Sequence, residues 1–271
     1  MKRLHLFEFS DLPWWPAPLR ALLTDLLHTL IDQVQPFSPK VALIAQALRA
    51  TGQRRVVDLC SGGAGPWLHL KAQLQQACGH DVQVLLTDKF PSASVPPKLA
   101  AVDGLDYCPT TVDALAVPAS LDGVRTLFDG LHHFGPDEAE AIIRSAVDDR
   151  QAIVVFEFLQ RTWRDALMAL LSPLMVLAIT PLVRPLSLSR LLLTYVVPVA
   201  PLIVTWDGLV SELRCYSAQE LETMARRAGG DYTWHIGTYR HRGLPVTYLV
   251  GYPRIAGSGE RQGRHAVAAV G

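Results

Sequence analysis

The stretch "RRVVDLCSGGAGPWLHL", Arg54 to Leu70, decides the fold. A short β-branched run stops at an acid, Asp58. A cluster of Ser, Gly and Ala follows, and an apolar segment opens at Trp67. This is the pattern of a strand, a tight turn and a helix, the unit from which parallel α/β sheets are built. Small residues in such a turn let a ligand approach the backbone, and the next helix offers free N–H groups to an anion. An ordinary strand–helix turn has the same composition, so the stretch alone does not define a site. It also departs from the dinucleotide pattern G-x-G-x-x-G, because Cys60 stands at the first glycine position and Gly62, Gly63 and Gly65 are displaced by one.

Outward from this stretch the chain alternates strand and helix patterns. Strands are predicted at Arg55–Cys60, Val82–Thr87, Leu105–Val112, Val124–Phe128 and Ala152–Phe158, and helices at Trp67–Ala77 and Pro136–Val147. Ahead of them, apolar residues from Leu19 to Ile31 recur at helical spacing, and a second helix is expected over Val41–Ala50. Behind them, Ser217 and Glu220 form a capping box for a helix that ends at Gly229-Gly230. "DYTWHIGTYR" and "LPVTYLVGYP", joined by "HRG", read as a hairpin. The expected divisions are a helical cap over 1–50, a ligand-binding core over 51–161, an apolar insertion over 162–205, the rest of the core over 206–254 and a mobile tail over 255–271.

Composition narrows the class. The chain has 271 residues, 49% hydrophobic, with a formal net charge of zero, so it can bury a full core and has no basic surplus for nucleic acid. Its 4 cysteines include no Cys-x-x-Cys pair, and no metal site is expected. "MKRLHLFEFSDLPWW" lacks the apolar core of a secretory signal, which points to a reducing cytoplasm.

Parallel sheets bind ligands at the carboxyl ends of their strands. Here the first strand ends at Asp58, the second at Asp88 in "LLTDKF", and the third region leads to Asp113 in "TTVDALAVP". Each acid alone also suits a cap or turn. Together with the glycine turn they form an ordered set, and in it the sequence resembles the class I methyltransferases that use S-adenosylmethionine. "VVDLCSGGAG" is similar to their first motif, "LLTD" to the second, "VDALAVP" to the third, and "LFDGLHHFGPDEAEAIIRSA" to their fourth-strand segment. The resemblance covers about 41–160 and 216–252. It implies a Rossmann-like, seven-stranded, mostly parallel sheet with an antiparallel terminal hairpin, an N-terminal helical cap and an apolar helical insertion after strand five.

By the same resemblance the cofactor is S-adenosyl-L-methionine and the acceptor is a small molecule, methylated on a hydroxyl or carboxylate oxygen. Asp58 would lie near the ammonium group, with Cys60 a tolerated small residue. Gly62 and Gly63 would let the cofactor backbone pass, Asp88 beside Lys89 would grip the ribose, and Asp113 and Ala114 would meet the adenine. Asp129 and Gly130 would face the sulfonium. His132 is the leading general base, with His133 second; a packing or capping role is the alternative for both. Glu157 lines the substrate pocket or pairs with Arg161. Trp206, Arg214 and Tyr216 are further substrate candidates, Arg214 for a carboxylate. Trp14 and Trp15 either close the site or anchor the first helix.

The insertion contains "ALMALLSPLMVLAITPLV" (166–183) and "LLLTYVVPVAPLIVTW" (191–206), both proline-broken and too short for two passes of roughly 20 residues. Three readings remain open: a lid over an apolar acceptor, peripheral membrane contact through 166–205, and a homodimer interface. Two further functions compete: a membrane-associated lipid or quinone methyltransferase, and a non-catalytic binding protein that kept the fold. A nicotinamide dehydrogenase would leave Asp113 unexplained.

Overall fold

The computed structural model describes residues 1–92 and 95–254; the tail expected to be mobile, 255–271, lies outside the described residues. Seven strands form one sheet: Arg55–Leu59 (β1), Gln83–Leu86 (β2), Leu105–Tyr107 (β3), Val124–Phe128 (β4), Ile153–Phe158 (β5), Tyr232–His241 (β6) and Leu244–Pro253 (β7). Their order is β3-β2-β1-β4-β5-β7-β6; β1 to β5 run parallel, and β7 is antiparallel to both its neighbours. β3 is shorter than the pattern predicts. The Cys108 N–H still donates to Leu86 O at 2.8 Å, and Pro109 then offers no donor to continue the ladder.

The helices are Ala17–Val34 (α1), Val41–Thr51 (α2), Trp67–Cys78 (α3), Pro96–Leu99 (α4), Pro136–Asp148 (α5), Trp163–Leu170 (α6), Ser172–Ile179 (α7), Leu188–Leu191 (α8), Val199–Arg214 (α9) and Ala218–Ala228 (α10). Strand alternation divides the core between the two faces of the sheet. Val56, Val124, Phe128, Val154 and Phe156 pack with Ile44, Leu48, Trp67 and Leu70 of α2 and α3. Val57, Leu127, Ile153 and Val155 pack with Ile142, Ile143 and Leu221 of α5 and α10. Chain order reverses between β2-β1 and β4-β5, so the carboxyl ends of β1 and β4 form the switch point where such sheets bind ligands.

The insertion builds a third core with α1. Val176, Ile179, Val183, Ala200 and Ile203 close on Leu22, Leu23 and Leu26. Asp25 of α1 holds Lys98 and Arg190 at 2.7 Å each, tying the insertion and α4 to the same helix. The chain bends by 48° between α6 and α7 and by 76° ahead of α9, next to Pro173 and Pro198. Among the described residues no single helix is long and apolar enough to cross a membrane.

Beneath the insertion, Glu212 of α9 is 2% exposed and neither carboxylate oxygen has a hydrogen-bond partner among the described residues. Burial first, and then the charge of Asp165, push its pKa from 4.5 up to about 8. The folded chain therefore keeps a proton that the unfolded chain releases, and stability falls as pH rises through that window. Glu212→Gln is expected to leave the melting temperature unchanged at pH 4.5 and to raise stability at pH 8.5 by on the order of 1–3 kcal/mol. Equal effects at the two pH values would remove this explanation.

Candidate active site

The turn after β1 is held open by unusual backbone conformation. Cys60, Gly62, Ala64 and Gly65 all have positive φ, at 59°, 53°, 97° and 52°. Cys60 thus occupies a left-handed conformation that favours glycine, and the strain is carried at the mouth of the switch point. Its thiol is pushed well up, by burial first and then by the charges of Asp88 and Asp58, which makes it a poor nucleophile. Gly130, after β4, is the complementary small residue: a Cβ there would stand 3.0 Å from the Cys60 Cβ.

Asp58 does not reach outward to a ligand's ammonium group. It is 1% exposed, and its two oxygens accept from Thr126 Oγ1 at 2.5 Å and Ser61 Oγ at 2.7 Å. Burial raises its pKa to about 7 against the pull of those hydroxyls, and the side chain braces the turn to β4 from inside. Gly63 serves a contact with α1, because a Cβ there would stand 2.6 Å from Thr24 Cγ2. Gly63→Ala is therefore expected to destabilise the fold by about 1–3 kcal/mol. Adding Thr24→Ser, which removes that methyl, should recover most of the loss in chemical denaturation. No recovery would show that the strain lies in the turn itself.

Two further acids frame the switch point. Asp88, half-buried after β2, accepts from Gly62 N at 2.8 Å and Phe90 N at 2.7 Å. Asp113, past β3, accepts from Leu115 N at 3.0 Å and pairs with Lys89 at 2.8 Å. Ala114 turns into the core at 4% exposed, and Leu115 is the apolar neighbour left open. A bare-backbone turn, one half-buried carboxylate with spare lone pairs and a second beside Leu115 suit a carboxylate-bearing tail, a ribose diol and an amino-substituted ring.

The fourth and fifth strands bring a histidine and a glutamate together. Leu131–His133 forms one tight turn after β4 and brings His132 against the end of β5. Glu157, fully buried in β5, accepts from Leu131 N at 2.8 Å and His132 N at 3.2 Å with Oε1. Its Oε2 takes the His132 Nδ1–H at 2.6 Å. This bond fixes the ring and, in a neutral imidazole, places the proton on Nδ1 and the lone pair on Nε2. The alternative Glu157–Arg161 pair does not form, since Arg161 reaches Glu220 instead. Asp129 has φ 50° and accepts from Phe158 N at 2.5 Å, so its side chain braces β4 to β5; burial and Glu157 push its pKa well up.

The N-terminal segment walls off this pair with residues that the motifs did not indicate. His132 Nε2 faces Glu8 Oε1 across 4.0 Å. His133 bonds Asp11 at 2.7 Å. Burial opposes its charge, but Glu8 and Asp11 raise its pKa to about 9, so it is a paired cation rather than a base. Arg214 is 2% exposed; its Nη1 donates to Glu8 at 3.1 Å and to Asp11 at 2.6 Å, and its Nε to Leu6 O at 2.7 Å. In this arrangement its charge is engaged by the N-terminal segment. Tyr216 is 2% exposed, donates to Phe134 O at 2.8 Å and carries Arg3 over its ring. Trp206 Nε1 donates to Phe7 O at 3.0 Å. Trp15 packs on Phe9 in the core shared with α1, whereas Trp14 is 70% exposed. The ligand-type groupings Glu8–His132–His133 and His132–Glu157–Cys215 are thus engaged internally, in part with Arg214. Glu8, set between Phe7 and Phe9, was the one available signal: an acid in an aromatic run.

Seven strands in this order, with the hairpin closing antiparallel on β5, are the fold of the class I methyltransferases. Among solved structures the chain is similar to PigF with SAH, at 17% identity and TM-score 0.53 over 92% of this chain and 62% of that one. It also matches the mitomycin 7-O-methyltransferase MmcR (17% identity, TM-score 0.45, 80% of this chain and 54% of that one). Human N-acetylserotonin methyltransferase in complex with SAM matches at 12% identity and TM-score 0.49, over 85% of this chain and 56% of that one. The chain therefore spans between 54% and 62% of these three structures' lengths. No family model and no curated protein matches it.

Proposed function

We propose that the chain is an S-adenosylmethionine-dependent methyltransferase acting on a hydroxyl of a small apolar or aromatic acceptor. The observation that carries this reading is the His132–Glu157 pair, placed beside a switch point framed by Asp88 and Asp113. When bound, S-adenosylmethionine supplies a methyl group already activated on a sulfonium, so the chain's own task is positioning and proton removal. Asp88 would hold the ribose, Asp113 with Leu115 the adenine, and the turn from Cys60 to Gly65 the methionine end.

In this reading His132 Nε2 takes the acceptor's proton, and Glu157 fixes the ring and stabilises the imidazolium that forms. A hydroxyl within hydrogen-bond reach of Nε2 needs about 2.6–3.2 Å. The Glu8 carboxylate stands 4.0 Å from that nitrogen, so an acceptor must displace it. Glu8 and the segment that carries it therefore move when the acceptor enters.

The test is calorimetry of the purified chain with S-adenosylmethionine and S-adenosylhomocysteine, followed by assay of methyl transfer to a panel of phenols and hydroxylated aromatics. Micromolar or tighter cofactor binding and a methylated oxygen are expected. Absence of binding to either cofactor form would overturn the proposal. Binding without product across the panel would favour the non-catalytic reading.

A further inference from the structure

We infer that the outward face of α6 to α9 docks on the surface of a lipid bilayer carrying anionic headgroups. The inference adds to the methyl-transfer reading and does not depend on it. Leu167, Leu170, Leu174 and Leu177 follow one another at helical spacing across α6 and α7, and are 60%, 55%, 66% and 37% exposed. Leu188 in α8 and Val196 beyond it are 82% and 69% exposed. The inner faces of the same elements are spent on the core with α1, so this stripe is what remains outside. A contiguous apolar surface of this kind on a folded chain marks a docking site.

Charge decides the occupant. Residues 166–206 contain no Asp or Glu. Arg164 and Arg184 are exposed beside the stripe, while Arg190 is buried against Asp25. A two-fold dimer would lay this face on itself and bring its cations together with no acid to receive them. A membrane surface offers hydrocarbon for the leucines and anionic phosphates for the arginines. Trp163, 80% exposed, and Tyr195, 48% exposed, lie in the same surface, and such residues favour the headgroup level. Length agrees: α6 and α7 have 8 residues each and meet at a 48° bend, so they lie along an interface and do not cross roughly 30 Å of hydrocarbon.

The experiment is vesicle flotation of the full chain, with phosphatidylcholine alone and with added phosphatidylglycerol. Binding is expected to the mixed vesicles and to weaken with salt. Leu167→Glu with Leu174→Glu should lower the bound fraction by about tenfold, as should the independent pair Leu188→Glu with Val196→Glu. Circular dichroism and the melting temperature report whether each variant is folded. Arg164→Glu with Arg184→Glu should abolish the preference for anionic vesicles. A wild-type chain that stays unbound on both vesicles overturns the inference, as does folded variant protein that floats like wild type. A chain that fails to float but changes from dimer to monomer on Leu167→Glu with Leu174→Glu overturns it in favour of a second copy. Calorimetry with S-adenosylhomocysteine on the same samples reports the cofactor site separately, so the two proposals fail independently.

Discussion

His132→Ala is expected to slow methyl transfer to a phenol or alcohol by roughly 10²–10⁴-fold, with S-adenosylhomocysteine affinity unchanged. The size follows from the geometry. Glu157 is fully buried and spends Oε1 on two backbone N–H groups, while Oε2 accepts the His132 Nδ1–H at 2.6 Å and, more weakly, the Cys215 thiol at 3.9 Å. The ring is thereby fixed with Nε2 turned toward Glu8, and alanine removes it. Glu157→Gln is expected to cost a similar factor through the tautomer. If its amide oxygen faces Leu131 N and His132 N, its NH₂ faces Nδ1 and moves the proton to Nε2, where no base remains. If it faces the other way, two backbone donors lose their acceptor. Acceptors of greater acidity should be slowed less by either change, since they need less help in losing the proton. A loss under threefold for His132→Ala, with product still formed, would leave positioning as the whole mechanism.

The core of this molecule was legible because two signals coincide in it. β-branched runs mark the strands, and an acid or small residue lies at or just past the carboxyl ends of β1 to β4. β1, β2 and β5 differ from the expected bounds by one residue at an end or at each end, whereas β3 stops well short, where proline ends a ladder that apolar pattern alone would have continued. The acids at the strand ends are visible in the sequence as a group, but which of them turn inward is not. Asp58 turned inward because Ser61 and Thr126 supply hydroxyls that no motif spacing reveals. Asp129 turned toward β5 for the same kind of reason, a backbone N–H waiting at Phe158. The acceptor side was least legible. Its wall is made by Glu8 and Asp11, more than a hundred residues from His132 and His133 in sequence, and pattern at one position carries no information about a partner so distant. Arg214 shows the same limit: its charge is visible in the sequence, its partners Glu8 and Asp11 are not.

Asp88→Ala is expected to weaken S-adenosylhomocysteine binding by roughly 10²-fold, since hydrogen bonds to a charged group contribute about 1.5–3 kcal/mol each and the ribose offers two hydroxyls. The side chain has a second role that sharpens the test. Its oxygens also accept from Gly62 N and Phe90 N, which hold the turn after β1 against the end of β2. Alanine therefore removes the ribose contact and loosens the turn at once. Asn keeps the shape and one acceptor but presents NH₂ to one of two backbone donors, so it should fall between wild type and alanine. Asp113→Ala, at a half-exposed acid already paired with Lys89, should cost less, on the order of threefold to tenfold. Calorimetry on the three variants orders these effects, and thermal melting without ligand measures the loosening separately. If Asp88→Ala lowers the melting temperature but binds S-adenosylhomocysteine like wild type, Asp88 is a brace like Asp58, and the ribose is held elsewhere. If affinity falls while the melting temperature holds, the carboxylate that ties Gly62 to the sheet is also the one that meets the cofactor. The left-handed turn at Cys60 would then be strain kept in place for that contact.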